Sequence, residues 1–116
     1  MLIGVPKEIK NHEYRVGFTP TSVREAVRNG HQVLVQNGAG LGIGSSDADY
    51  VAAGAKMVAE APEIFAKADM IVKVKEPQTN ERAMLREGQI YTRISIQAYN
   101  RREDVDKLVG ALSSLM

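Results

Sequence analysis

The chain has 116 residues, the length of one domain, and 44% of them are apolar and 25% charged, which excludes a disordered or fibrous protein. The formal net charge of +1 gives no basic excess for nucleic acid and no acidic excess typical of a solvating tail. The absence of Cys excludes disulfides, thiolate metal ligands and cysteine nucleophiles.

Short apolar runs that suit buried strands alternate along the chain with amphipathic stretches that suit helices. The first half contains a strand at 2–5, a helix from Pro20 to a stop at Gly30, a strand at 31–36, a helix from Ser46 to Gly54 and a short strand at 56–58. The second half contains a helix opened by Pro62, a strand at 70–74, a short helix at 81–85, a strand from 90 to 96 and a last helix capped by Asn100. This order predicts one α/β domain over residues 1–116, with a mostly parallel sheet of four or five strands flanked by helices, a Rossmann-like or flavodoxin-like half domain.

Glycines recur at every second position between Gly38 and Gly44, in a loop that follows a strand and precedes a helix. That is the right place for a nucleotide-binding loop, but the spacing is G-x-G-x-G-x-G rather than G-x-G-x-x-G, and no Walker lysine follows. The alternative is a wide turn that requires positive φ angles and close backbone approach. The off-pattern spacing favours the turn.

Three cations are predicted near the ends of strands. Arg15 lies in the loop after the first strand, and Lys73 and Lys75 lie at the carboxyl end of the 70–74 strand with the same strand parity. Because ligands of open parallel sheets bind outside the carboxyl ends of strands, Arg15 and Lys75 are candidates to converge on one anion. The alternative is that these side chains are solvated or form ion pairs with Glu8, Glu13 and Glu76, and spacing alone favours it.

Neither histidine indicates a metal or catalytic site. His12 lies in a polar loop, His31 opens a strand, and no carboxylate or second His stands at ligand spacing from either. We therefore expect no metal and no catalytic residue that spacing can identify.

Eight segments of residues 1–90 form a recognisable series: Ile3–Asn11, Glu13–Val16, Thr19–Pro20, Gly38–Gly42, Asp49–Tyr50, Ala53–Ala55, Val72–Pro77 and Leu85–Ile90. In this order they closely resemble the N-terminal, substrate-binding domain of alanine dehydrogenase. The proton-translocating transhydrogenase has a related N-terminal domain that shares the early pattern. The resemblance implies an NAD-dependent enzyme that interconverts L-alanine with pyruvate and ammonia, with NAD held by a separate Rossmann domain. It also implies that Arg15 and Lys75 hold the carboxylate and carbonyl of the substrate.

Residues 91–116 do not follow the alanine dehydrogenase pattern. The family continues after Ile90 with a segment that carries a catalytic histidine, and Ile96 stands about where that histidine belongs. The segment instead resembles the C-terminal strand and helix of class V aminotransferases and cysteine desulfurases, in which Arg93 matches an arginine that binds a substrate carboxylate. We interpret the chain as a chimera, completed by an amphipathic last helix that we expect to pack on the sheet. Its apolar stripe is Val105, Leu108, Val109, Leu112 and Leu115.

These observations predict a chimeric or truncated substrate-binding domain without catalytic activity of its own. Arg15, Lys75 and Arg93 are the expected binding residues for a small carboxylate such as pyruvate or alanine, and no cofactor is expected on this chain. The alternative is a subunit of an NAD-dependent alanine dehydrogenase or a transhydrogenase-like oxidoreductase that requires a separate NAD domain. No apolar stretch approaches the roughly 20 residues of a membrane span, so we expect a cytoplasmic protein without a membrane partner, and the charge balance indicates no nucleic-acid partner. We also expect a homo-oligomer, with a dimer favoured, because surfaces that contact other domains and subunits in the parent family are uncovered here.

Overall fold

The computed structural model describes residues 1–94, which form a five-stranded sheet with helices on both faces. The strands are β1 (Leu2–Val5), β2 (Gln32–Gln36), β3 (Lys56–Val58), β4 (Met70–Lys73) and β5 (Ile90–Arg93). The helices are α1 (Pro20–Arg28), α2 (Asp47–Ala53), α3 (Ala61–Lys67) and α4 (Thr79–Arg82), with a 3₁₀ turn at Leu41–Ile43. The predicted last helix and its apolar stripe, together with Ile96, lie outside the described residues.

The strand order is β3-β2-β1-β4-β5, and every neighbouring pair is parallel. This confirms the prediction of an α/β fold with a parallel sheet. In chain order, β2 and β3 lie on one side of β1, and β4 and β5 lie on its other side. The order therefore reverses between β1 and β4, and the loops that leave these two strands diverge there.

The two sheet faces are covered by different helices because side chains alternate along each strand. On one face Ile3 and Val5 pack in a buried cluster with Val23 of α1. On the other face Ile64 and Phe65 of α3 pack in a second buried cluster, which also contains Leu34 and Ile71 of the sheet. Each fully buried aliphatic side chain contributes about 1.5–3 kcal/mol, so both clusters matter to the net stability.

The predicted helix starts at Thr19 and Ser46 are confirmed. Thr19 Oγ1 accepts a hydrogen bond from the Ser22 backbone N–H at 3.2 Å. Ser46 Oγ accepts from the Asp49 N–H at 3.2 Å, while Asp49 Oδ2 accepts from the Ser46 N–H at 2.9 Å. Such caps satisfy backbone donors that have no partner inside the helix. None of the helices in residues 1–94 has the length and apolar character to cross a bilayer.

The short helix predicted at 81–85 is displaced toward the N-terminus and spans Thr79–Arg82. The cause is the Glu81 carboxylate, whose Oε1 accepts a hydrogen bond from the backbone N–H of Gln78 at 2.9 Å. That bond satisfies a donor just before the first turn, so the helix begins directly after Gln78 rather than at Glu81. Glu81 is thereby turned inward, toward the carboxyl end of β4.

Candidate functional site

The predicted binding residues meet at the carboxyl ends of β1 and β4, where the strand order reverses. Arg15 comes from the loop after β1, Lys75 follows β4, and Arg93 ends β5. The three side chains line one open depression of about 400 Å³, together with Val74 and Ile94. In open parallel sheets this edge at a topological switch point is where ligands bind.

Arg15 and Lys75 converge on a carboxylate of the chain itself, that of Glu13. The Arg15 guanidinium donates from Nε to Glu13 Oε2 at 2.9 Å and from Nη2 to Glu13 Oε1 at 2.8 Å, and Lys75 Nζ lies 3.8 Å from Glu13 Oε1. The Arg15 side chain lowers the pKa of the Glu13 carboxyl to about 2. The group is therefore ionised at neutral pH, and its interaction with Arg15 is lost only as the pH falls toward that value.

Lys73 does not join this group, although its strand parity matches that of Lys75. It is fully buried, and its Nζ lies 2.6 Å from both carboxylate oxygens of Glu81 and 3.6 Å from Glu8 Oε1. The helix α4 covers this position and brings Glu81 over the ammonium. The expected alternative, an ion pair with Glu8, is therefore present, and a ligand cannot reach Lys73. The sequence analysis did not identify Glu81 as a partner of Lys73. The one sequence signal for its inward position is that it stands three residues after Gln78, the spacing of a capping box.

Glu8 connects this buried pair to the backbone that carries Lys75. Its carboxylate accepts hydrogen bonds from the backbone N–H of Val74 at 3.0 Å and of Lys75 at 3.3 Å. Burial raises the pKa of Glu8, while these bonds and Lys73 oppose that rise. Glu8 thus fixes the chain direction directly after β4 and with it the starting point of the Lys75 side chain.

Arg93 lies at the rim of the depression with its side chain 56% exposed. Its Nε donates to the Val74 carbonyl at 3.1 Å, and its Nη2 lies 3.7 Å from Glu76 Oε2. Glu76 also accepts from Lys10 Nζ at 2.6 Å, and this bond is the main reason that the pKa of Glu76 falls to about 2. Arg93 therefore adds positive charge at the edge, partly offset by Glu76.

The glycine-rich loop has the structure of a wide turn and does not fit a dinucleotide. Gly38 and Gly44 have φ angles of 78° and 79°, and the Gly38 N–H already donates to Asp47 Oδ1 at 2.9 Å. A Cβ on Gly42 would lie 2.9 Å from the carbonyl carbon of Tyr14, so this loop packs directly against the segment that carries Arg15. Five of the seven amides from Gly38 to Gly44 donate to groups within the domain, whereas a phosphate loop presents its amides outward.

The histidines take no part in a metal centre within residues 1–94, where no cluster of three or more His, Asp or Glu side chains could hold an ion. His12 Nδ1 lies 3.2 Å from the Tyr14 hydroxyl, and His31 is buried at the start of β2.

One protein family matches nearly the whole chain. The family described as "Alanine dehydrogenase/PNT, N-terminal domain" matches residues 4–114. The alanine dehydrogenase of Methanococcus maripaludis is 56% identical over 90 residues, which cover 78% of this chain and 24% of that protein. The alanine dehydrogenase of Halomonas elongata is 52% identical over 99 residues, or 84% of this chain and 27% of that protein. The chain spans about a quarter of the length of these relatives.

Solved structures of the same kind share the fold. One L-alanine dehydrogenase superposes with a TM-score of 0.78 at 44% identity and covers 93% of this chain and 29% of its own. A transhydrogenase from Sinorhizobium meliloti has a TM-score of 0.76 at 31% identity, covering 90% of this chain and 29% of its own. Because the family match continues to residue 114, the comparisons give no support for an aminotransferase segment at 91–116.

Proposed function

Since this chain belongs to the family of alanine dehydrogenase and PNT N-terminal domains, we propose that it is the part of an alanine dehydrogenase that binds the substrate carboxylate. The reaction of that enzyme interconverts L-alanine with pyruvate and ammonia and uses NAD. The observation that carries the proposal is the convergence of Arg15 and Lys75 on one carboxylate at the reversal of strand order.

Arg15 and Lys75 keep donors that face solvent. Glu13 takes two of the five guanidinium N–H donors of Arg15, and the Arg15 side chain remains 40% exposed. The Lys75 side chain is 30% exposed and stands over the same carboxylate. A small carboxylate can therefore bond to the outward donors of Arg15 and to the ammonium of Lys75, which would hold the carboxylate and carbonyl oxygens of pyruvate.

We expect pyruvate to bind with a Kd of about 1 mM or weaker, because a few partly exposed charge-assisted bonds leave about −4 kcal/mol after ordering costs. Titration followed by NMR of the ¹⁵N-labelled chain measures this. Replacement Arg15→Ala should weaken binding about tenfold or more, since a hydrogen bond to a charged group contributes about 1.5–3 kcal/mol.

Arg28→Ala is the matched control, because Arg28 also pairs with a carboxylate, that of Glu25, but lies on α1 away from the depression. Binding should stay within about twofold of the original value in this variant. Pyruvate-induced shifts that persist unchanged in Arg15→Ala would contradict the proposal.

We also expect no hydride transfer by the chain alone. Hydride chemistry belongs to a bound nicotinamide, which the protein must position against the substrate, and the glycine-rich loop does not fit that cofactor because Asp47 already occupies the Gly38 amide. An assay of alanine-dependent NAD reduction should give no turnover. Turnover that survives purification and is lost in Lys75→Ala would support instead a complete dehydrogenase in this chain.

A subunit that works with a separate NAD domain is the second candidate, and it is favoured by the similarity to a transhydrogenase over 90% of this chain. Repeating the assay with an added NAD domain distinguishes the two. Activity that appears only in the mixture supports the second candidate, and continued inactivity supports a binding role alone.

We propose that the chain forms a dimer in solution. Five large apolar side chains within residues 1–94 are more than a third exposed, and three of them are exposed by more than half: Tyr14 at 65%, Leu41 at 66% and Val51 at 56%. Tyr14 and Leu41 line one depression together with Ile9, and a contiguous exposed apolar patch favours association. Light scattering should show a mass that rises from monomer to dimer over the micromolar range. A monomer mass at every concentration would contradict this.

The cytoplasmic location and the chimeric origin of residues 91–116 stay predictions. Neither bears on Arg15 and Lys75, because both lie before residue 91.

A further inference from the structure

The Glu13 carboxylate is more deeply buried than the two cations that contact it, Arg15 and Lys75. Its side chain is only 5% exposed, against 40% for Arg15 and 30% for Lys75. It accepts from the Arg15 backbone N–H at 3.0 Å as well as from the guanidinium. A ligand that approaches from solvent therefore meets Arg15 and Lys75 first, with the Glu13 carboxylate fixed directly behind them.

We propose that Glu13 makes this site selective for ligands with a single carboxylate over ligands with two. The inference rests on the proposed binding of a carboxylate by Arg15 and Lys75. Glu13 cancels one of their two positive charges, so the three side chains together carry a charge of +1 and match one anionic group. Glu13 also holds the Arg15 guanidinium in one orientation, which makes it a positioning residue.

The other cations near the depression are already paired. Lys10 donates to Glu76 at 2.6 Å, and Arg93 lies 3.7 Å from the same carboxylate. Below the site the Lys73 ammonium faces both Glu81 and Glu8. Lys10 and Arg93 share one carboxylate and leave a charge of +1, whereas Lys73 with Glu81 and Glu8 leaves −1, so these six groups together add no net charge. A second ligand carboxylate would therefore meet no surplus positive charge and would be repelled by Glu13.

The experiment compares two 2-oxo acids with the same five-carbon chain, 2-oxopentanoate with one carboxylate and 2-oxoglutarate with two. Their Kd values are measured by NMR titration at constant ionic strength for the original chain and for Glu13→Gln, which keeps the shape of the side chain and removes its charge. The readout is the ratio of the two Kd values, because a general loss of site geometry weakens both ligands and leaves the ratio unchanged.

We expect the original chain to bind 2-oxopentanoate more tightly, and the preference to fall by about tenfold in Glu13→Gln, the effect of one charge several Å away at a partly exposed site. Glu63→Gln is the matched control. Glu63 is another ion-paired carboxylate, but it pairs with Lys67 on α3 and lies outside the lining of the depression. The ratio should change by less than about twofold in this control. Glu13→Asp keeps the charge and should keep the preference.

Equal weakening of both ligands in Glu13→Gln would overturn the selective role of Glu13. A change in the ratio that is as large in Glu63→Gln would also overturn it, because overall charge would then explain the preference. Glu13→Ser provides a second uncharged variant if Glu13→Gln does not fold. If neither acid shifts the signals of Arg15 and Lys75 in the original chain, the carboxylate site itself is wrong, and the selectivity falls with it.

Discussion

Replacement of Lys73 with methionine is expected to lower the free energy of unfolding by about 3–5 kcal/mol, the cost of breaking a buried ion pair from one side. The methionine fills similar space but leaves Glu81 and Glu8 without the ammonium, and Lys73 and the Glu81 side chain are almost completely buried. Urea unfolding followed by circular dichroism measures the loss. Because native domains are stable by only about 5–15 kcal/mol, this loss is a large share of the total stability.

Lys67→Met is the matched control for Lys73→Met. Lys67 pairs with Glu63 at 3.1 Å on the surface of α3, with both side chains about half exposed. Such pairs contribute about 0.3–0.5 kcal/mol, so the control should lose little stability. Equal losses in the two variants would show that the buried pair does not stabilise the domain.

The loss in free energy of unfolding caused by Lys73→Met should become smaller as the pH falls from 7 to 5. Burial raises the folded-state pKa of Glu8, and the substitution removes the Lys73 ammonium that opposes this rise. A carboxyl group of that kind binds its proton more readily in the folded protein, so folding gains stability as the pH falls through the folded-state pKa. A loss in free energy of unfolding that is constant between pH 7 and 5 would contradict this account of the buried carboxylate.

Gly17→Ala is expected to destabilise the domain by about 3 kcal/mol, the upper part of the usual range for overpacking. A Cβ at Gly17 would overlap the carbonyl oxygen of Val72 and would lie 2.9 Å from the Val72 carbonyl carbon and 3.2 Å from the Lys73 Cα. These atoms are strand backbone and cannot move aside as a flexible side chain would. Because β4 leads into Lys75, the same substitution should also weaken pyruvate binding.

Gly30→Ala is the control for Gly17→Ala. Gly30 has a φ of 90° and no heavy atom within 4 Å of an added Cβ, so its cost comes from the backbone angle alone. That cost is about 1 kcal/mol. If urea unfolding shows that Gly17→Ala costs no more than Gly30→Ala, the close approach of the Gly17 segment to β4 is wrong.

The parallel fold was predictable because its signals are local. Thr19 before Pro20 and Ser46 before Asp49 mark helix starts whose hydrogen bonds involve residues three apart. The start of α4 was predicted two residues too late, because the deciding bond joins the Glu81 side chain to a backbone amide outside the apolar pattern. The strand order also depends on long-range pairing, such as that of Gly4 with both Leu34 and Ile71, which the local pattern does not specify.

The candidate site was predictable only in part. Strand parity predicts that Lys73 and Lys75 point the same way, but β4 ends at Lys73, and parity does not show that α4 buries Lys73 and leaves Lys75 partly exposed. The proposed alternatives for Arg15, a ligand anion or an ion pair with Glu13, are not exclusive in the structure. Glu13 takes one edge of the guanidinium, and the rest faces the depression. Such a division of donors depends on side-chain geometry that sequence spacing does not contain.

A crystal structure of the chain with pyruvate tests the central claim most directly. The account predicts the pyruvate carboxylate within hydrogen-bonding distance of Arg15 and Lys75, in the depression at the carboxyl ends of β1 and β4, with Glu13 still bonded to the inner edge of the Arg15 guanidinium. Pyruvate bound elsewhere, with Arg15 and Lys75 in contact only with Glu13, would contradict the account.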